Sequence, residues 1–391
     1  MRRGTFVRWG VPIAAAAVIG GAIGAGPVIA AVSGEPVLPE RSAEQLLADA
    51  MAATKDGGLP PMSGTVQQTA SLGLPSLPMG GPATGAGSPI SLLSGSHEVK
   101  VWYGAADKLR VAMPTQLNET NLILNGREAW FWDSSTNTAT KMTIKAGEAG
   151  IGKEHTMPTP QPSDLTPQQA AQRLLTGVDE HTTVRVVNTA EVAGRPVYQL
   201  VLTPKDEGSL VQEVRIALDG ETYVPLQVQV FAKGSAEPAF QTGFTQVTFT
   251  PPAAENFVFT PPAGAKVEEK TLGAVRRPDE AERHREEAKD AAKDVKVVGD
   301  GWASVAVLPY SAADLAAKPA ETPEGAGEFG GDGDPAALID SVLKSATPVS
   351  GTWGSGKLIR TKLVTALLTD DGRLLVGAVT PEEITKAADI K

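Results

Sequence analysis

The feature that most constrains this chain is a long succession of short strand patterns, broken at close intervals by turn signals. Between His97 and Ile144 such patterns are separated by Gly104 to Asp107, by Asn125-Gly126 and by Asp133 to Thr138. Runs of this length with those breaks read as a β-meander. A second meander is expected in runs around Val184 to Val187, Pro196 to Leu202, Val211 to Leu218, Leu226 to Phe231 and Phe240 to Phe249. Alternation is clear at Val214, Ile216 and Leu218 and again at Leu226, Val228 and Val230, the mark of a sheet with one buried face. Another strand is read at Gly64 to Ala70.

Two helices punctuate this β pattern. Ser42 and Gln45 stand at capping-box spacing ahead of an apolar stripe formed by Ala43, Leu46, Leu47, Ala50 and Met51, and Gly57 to Pro61 end the run. A second helix is expected from about Thr166 to Gly177, with Pro167 in its first turn and Ala171, Leu174, Leu175 and Val178 as its stripe.

The segment Glu268 to Lys293 is dominated by Glu, Asp, Lys and Arg, with alanines as its main apolar content, and reads as a solvated linker. A smaller unit follows. It holds a strand at Trp302 to Leu308, a helix from Asp334 with Leu338, Ile339, Val342 and Leu343 inward, and strands near Leu358 to Leu368 and Leu374 to Val379. The last two are joined as a hairpin by Asp370-Asp371-Gly372. The expected division is therefore 1–31, 42–266, 267–294 as linker, and 295–391 as a small C-terminal α+β domain.

Arg2, Arg3 and Arg8 precede an uncharged stretch from Val11 to Val32, followed at once by polar residues. This is the layout of an export signal, with cleavage expected after Ala30. An uncleaved anchor is the alternative, because the apolar run approaches the ~20 residues of a membrane span. Either reading makes the chain extracytoplasmic, secreted or in the cell envelope. With no cysteine the core must supply the stability, and a net charge of −10 argues against nucleic acid as a partner.

The order helix, strand, meander, helix, meander ends on Phe257-Val258-Phe259-Thr260-Pro261-Pro262-Ala263-Gly264. Ahead of it stand Val192-Ala193-Gly194-Arg195 with Tyr198-Gln199-Leu200, then Leu218-Asp219-Gly220 leading to Val224-Pro225-Leu226. In this order the stretches resemble the LolA-like superfamily, which holds outer-membrane lipoprotein carriers and sigma-factor regulatory proteins of the RseB-MucB type. The tail adds Val349-Ser350-Gly351-Thr352-Trp353-Gly354 and the hairpin after it, which resemble the small C-terminal domain of the regulators. The resemblance implies a mostly β fold with α (α+β): a curved antiparallel half-barrel sheet with helices on its concave face, over an apolar cavity that takes acyl chains.

On that reading Trp102, Val111, Trp130, Trp132, Phe231 and Phe244 are candidate cavity walls, or else plain core. The loop from Leu72 to Leu93 is rich in Pro and Gly yet carries Leu72, Leu74, Leu77, Met79, Ile90, Leu92 and Leu93 without a pattern to bury them. It reads as a lid, a cavity mouth or a docking surface, or as a plain flexible insertion. The expected ligand is an acyl lipid or lipoprotein. The alternative is an envelope sensor of the regulator kind that docks onto a membrane-bound protein.

Enzyme signatures fail, and no cofactor is expected. Gly351 to Lys357 satisfies the first seven positions of a phosphate-binding loop, but Leu358 stands where the Mg²⁺-binding Ser or Thr belongs, so a glycine-rich turn is preferred. His97, His155, His181 and His284 lack zinc-helix spacing, and no G-x-S-x-G elbow occurs. No metal site is expected.

Overall fold

The computed structural model describes residues 38–54, 59–73, 94–115, 117–144, 181–272, 295–309 and 343–390. The helix expected from Thr166 to Gly177 lies outside the described residues, as does most of the stretch from Leu72 to Leu93. Most of the helix expected from Asp334 and the bulk of the linker lie outside them too.

The chain opens with α1 (Ala43–Thr54). Its start is the reciprocal cap read from the sequence: Ser42 Oγ accepts from the Gln45 N–H at 3.2 Å, and Gln45 Oε1 accepts from the Ser42 N–H at 3.2 Å. Twelve strands follow: β1 (Met62–Ser71), β2 (Ser94–Ala105), β3 (Lys108–Pro114), β4 (Glu119–Asn125), β5 (Glu128–Asp133), β6 (Thr138–Ile144), β7 (Thr182–Val192), β8 (Arg195–Pro204), β9 (Val211–Asp219), β10 (Pro225–Ala232), β11 (Pro238–Thr248) and β12 (Lys266–Leu272). They form one sheet in the order β12-β6-β5-β4-β3-β2-β1-β11-β10-β9-β8-β7. Every pairing is antiparallel except β12 with β6, and β12 and β7 stand at opposite edges, so the sheet is curved but open rather than closed into a barrel.

The first apolar cluster joins Met62, Val66, Val99 and Phe244, from β1, β2 and β11, to Val192, Val197 and Leu226, from β7, β8 and β10. The second sets Leu46 of α1 against Tyr198, Leu200, Leu202, Val214, Leu218 and Val228. Side chains alternate along a strand, so the series Tyr198, Leu200, Leu202 faces α1 while Val197 and Val201, also buried, face the other way. β8 is thus covered on both sides. In β10, Val228 and Val230 keep the expected series under α1, whereas a register shift between Pro225 and Gln227 takes Leu226 into the first cluster.

Phe257 and Phe259 turn the closing motif into a strap. Phe257 is buried, and the Phe259 ring packs tilted against Trp130 and Trp132, at centroid distances of 5.4 and 6.0 Å, while Val258 between them is 61% exposed. The strap leads the chain from β11 to the parallel pairing of β12 with β6.

The second unit is a six-stranded antiparallel sheet, β13 (Lys296–Val298), β14 (Val305–Pro309), β15 (Thr347–Gly351), β16 (Gly354–Arg360), β17 (Thr365–Thr369) and β18 (Arg373–Gly377), in the order β13-β14-β18-β17-β16-β15. Its core is Val305, Leu358, Leu367, Leu375 and Ile384, the last from α2 (Pro381–Ala388). The run expected as one strand from Leu358 to Leu368 is two. Thr361 Oγ1 accepts from the N–H groups of Leu363 and Val364 and closes a turn between β16 and β17.

The two sheets are bonded to each other. Ser209 bridges Val379, the Leu210 N–H donates to the Ala378 carbonyl at 2.8 Å, and the Thr380 N–H donates to the Gly208 carbonyl at 2.8 Å. The Trp302 indole donates to Thr182 Oγ1 at 2.7 Å, and the Lys362 N–H to the Leu72 carbonyl at 2.7 Å.

Candidate functional site

Cross-strand register sorts the side chains of β2 to β6 onto two faces, because directly opposed residues share a side of the sheet. One face carries the row Val101, Val111, Leu122, Phe131 and Thr140, and beside it the row Tyr103, Leu109, Leu124, Ala129 and Met142. All but Thr140 and Ala129 are half-buried. At the β2 end the rows run into the first cluster, against which Val101, Tyr103 and Val111 pack. At the other end β12 closes them with Glu268 opposite Thr140, and Glu268 is ion-paired to Lys266. The result is a continuous apolar surface with a polar rim. Burial pushes the Tyr103 phenol up in pKa, and Asp107 adds to the shift, so the ring stays neutral in its row.

The opposite face carries Trp102, Arg110, Ile123, Trp130 and Lys141 in one row and Lys100, Ala112, Asn121, Trp132 and Ala139 in the next. Here Ala112, Asn121, Ile123, Trp132 and Ala139 are buried, and the strap lies over Trp130 and Trp132.

The candidate residues are thereby divided. Val111 and Phe244 stand on the apolar face, Phe244 being 2% exposed with its ring over Gly64. Trp102, Trp130 and Trp132 stand on the strap face. Phe231 is buried in β10, on the side away from Val230, with the Arg215 guanidinium 4.5 Å above its ring. Leu72 follows β1 and is half-buried, its carbonyl bonded to Lys362. Leu74, Leu77, Met79, Leu92 and Leu93 lie outside the described residues.

Leu109, Leu122, Leu124, Phe131 and Met142 were not singled out from the sequence. In Leu122-Ile123-Leu124 and Trp130-Phe131-Trp132 both faces are apolar, so no alternation of apolar with polar residues marks which side joins the face of Val111. Only the register resolves them.

The glycine-rich stretch at Gly351 is the tight turn of the β15–β16 hairpin, with Gly351 paired to Gly354 and Trp353 buried in the second core. Among the described residues no cluster of His, Cys, Asp and Glu is arranged to hold a metal ion, and no helix is long and apolar enough to cross a membrane.

The architecture is therefore that of a mostly β, open-sheet protein with an apolar face. No family model matches the sequence, and no curated protein matches it. Among solved structures the chain is similar to MucB in complex with MucA(peri), at 15% identity and TM-score 0.38, with 89% of this chain and 97% of that chain covered. It is also similar to the MucA/MucB complex of Pseudomonas aeruginosa, at 14% identity and TM-score 0.37, with 88% and 95% covered. A LolA superfamily protein from Nitrosomonas europaea matches at 10% identity and TM-score 0.22, with 56% of this chain and 99% of that chain covered. Proteins of the LolA-like and MucB kinds, to which the sequence motifs bear a resemblance, are thus among the solved structures this chain is similar to.

Proposed function

We propose that this protein is an extracytoplasmic, non-enzymatic binder of acyl lipids or lipoproteins, which shelters acyl chains against the apolar face of β2 to β6. The observation that carries this reading is the pair of half-buried rows through Val111, Leu122 and Phe131 and through Leu109, Leu124 and Met142. Five strands at about 4.8 Å spacing make rows roughly 19 Å long. Each methylene group removed from water there contributes about 0.8 kcal/mol, so a long chain is held without a specific polar contact. Native mass spectrometry of the purified protein tests the reading: co-purifying acyl lipid is expected, and a protein that neither carries lipid nor takes it up would contradict it.

A second reading, a sensor that docks onto a membrane-bound protein partner, is favoured by the second sheet, whose backbone is bonded to the first at Ser209 and Val379. A pull-down of a single-pass membrane protein, in addition to lipid, would favour it over a carrier.

A further inference from the structure

We propose that Arg110 anchors an oxyanion site on the strap face, away from the acyl surface, that takes a phosphate group, either borne by a lipid headgroup or free in solution. The inference is independent of the acyl reading, because Arg110 and Leu122 stand on opposite sides of the sheet.

Arg110 is held in a fixed orientation. Its Nε and Nη2 both donate to Asn121 Oδ1, at 3.1 and 2.9 Å, and its guanidinium lies 5.3 Å from the centroid of the Trp102 ring. Asn121 is only 1% exposed, and its Nδ2 group, closed off from solvent, has no acceptor among the described residues. A buried amide that gives its oxygen to the arginine while its own N–H groups go unpaired costs stability. What that cost secures is the position of Arg110.

Of the other cations on this face, Lys141 pairs with Glu128 at 2.8 Å and Lys100 with Glu98 at 3.8 Å, while Lys108, two residues before Arg110 on β3, makes no ion pair among the described residues and adds to the positive charge. Arg110 has no carboxylate partner among the described residues. With Nε and one N–H of Nη2 committed to Asn121, one N–H of Nη1 and the second of Nη2 remain as the planar end-on fork that matches two oxygens of a phosphate. The Trp102 ring adds a cation–π contact that holds the guanidinium without neutralising its charge.

The test is calorimetric titration of the full-length protein with inorganic phosphate and, separately, with dihexanoyl phosphatidylglycerol. Saturable binding of at least one is expected, weakened at least tenfold in Arg110→Gln at a temperature where the variant is folded; its unfolding temperature should fall, because the buried Asn121 oxygen loses its donors. Binding of phosphate alone identifies a free ion as the ligand, and binding of the lipid alone identifies a headgroup. Should Arg110→Gln not fold, Arg110→Lys, which keeps the charge and loses the fork, is expected to bind several-fold more weakly. No binding of either probe at millimolar concentration overturns the proposal, as does wild-type affinity in the folded variant.

Discussion

Arg195 donates from both Nε and Nη2 to the buried carboxylate of Asp219, tying the turn before β8 to the turn after β9. Asp219 is 0% exposed and also accepts from the Thr222 N–H at 2.8 Å, the Thr222 hydroxyl at 2.9 Å and the Glu221 N–H at 3.2 Å. Arg195 continues to Glu221 at 2.9 Å and lies 4.9 Å over the ring of Phe249. Removing one partner of such a pair strands the other groups, so Asp219→Ala is expected to cost about 3–5 kcal/mol in urea unfolding. Arg195→Ala should cost less, because the guanidinium is partly in water and the turn's N–H groups still satisfy Asp219.

The same contact sets an acid limit. Burial alone would raise the Asp219 pKa, but the hydrogen bond from Arg195 and those from Thr222 outweigh it and hold the carboxyl below its ordinary range. Its contribution is then fully present above the unfolded-state value of about 3.9 and is lost as pH falls through the lower folded value. Urea unfolding of the wild type from pH 5 downward should show a loss of stability that is smaller in Asp219→Asn.

Gly64 faces the Phe244 ring at close range. A Cβ there would stand 2.6 Å from Phe244 Cδ1 and 2.5 Å from the Gln246 carbonyl oxygen. Gly64→Ala is expected to cost about 1–3 kcal/mol in chemical unfolding. Adding Phe244→Leu should recover only part of the loss, since the carbonyl belongs to the paired backbone of β11.

The bonds at Ser209, Leu210, Trp302 and Lys362 predict that the two sheets stay together when the chain between them is cut. After cleavage at a protease site introduced between residues 273 and 294, size-exclusion chromatography should return one species containing both fragments. Separate elution in native buffer would show that these contacts do not hold the units.

Much of this fold was legible because its signals are local. Ser42 and Gln45 gave the reciprocal cap, Asn125-Gly126 and Asp371-Gly372 gave hairpin turns, and Val214 with Leu218 gave the side of β9 under α1. What stayed hidden depends on register or on partners distant in the chain. The turn at Thr361 is built by a hydroxyl rather than by Gly or Pro, so the run around it reads as unbroken strand. Arg195 and Asp219 both lie in motif stretches, yet their pairing follows from the antiparallel match of β8 with β9. The sequence is least informative at Trp130-Phe131-Trp132, which is apolar on both sides, so that only the register shows its tryptophans on the face opposite the one that Phe131 shares with Leu122.

Titration of the full-length protein with a fluorescent fatty acid such as cis-parinaric acid tests the central claim most directly. The wild type should bind saturably, and a variant carrying Leu122→Gln and Leu124→Gln should bind at least tenfold more weakly. Its unfolding free energy should fall by only about 1–2 kcal/mol, since these leucines are half-buried and fully buried ones cost roughly 2–5 kcal/mol when truncated. No saturable binding by the wild type, or equal binding by the variant, would contradict an acyl site on this face.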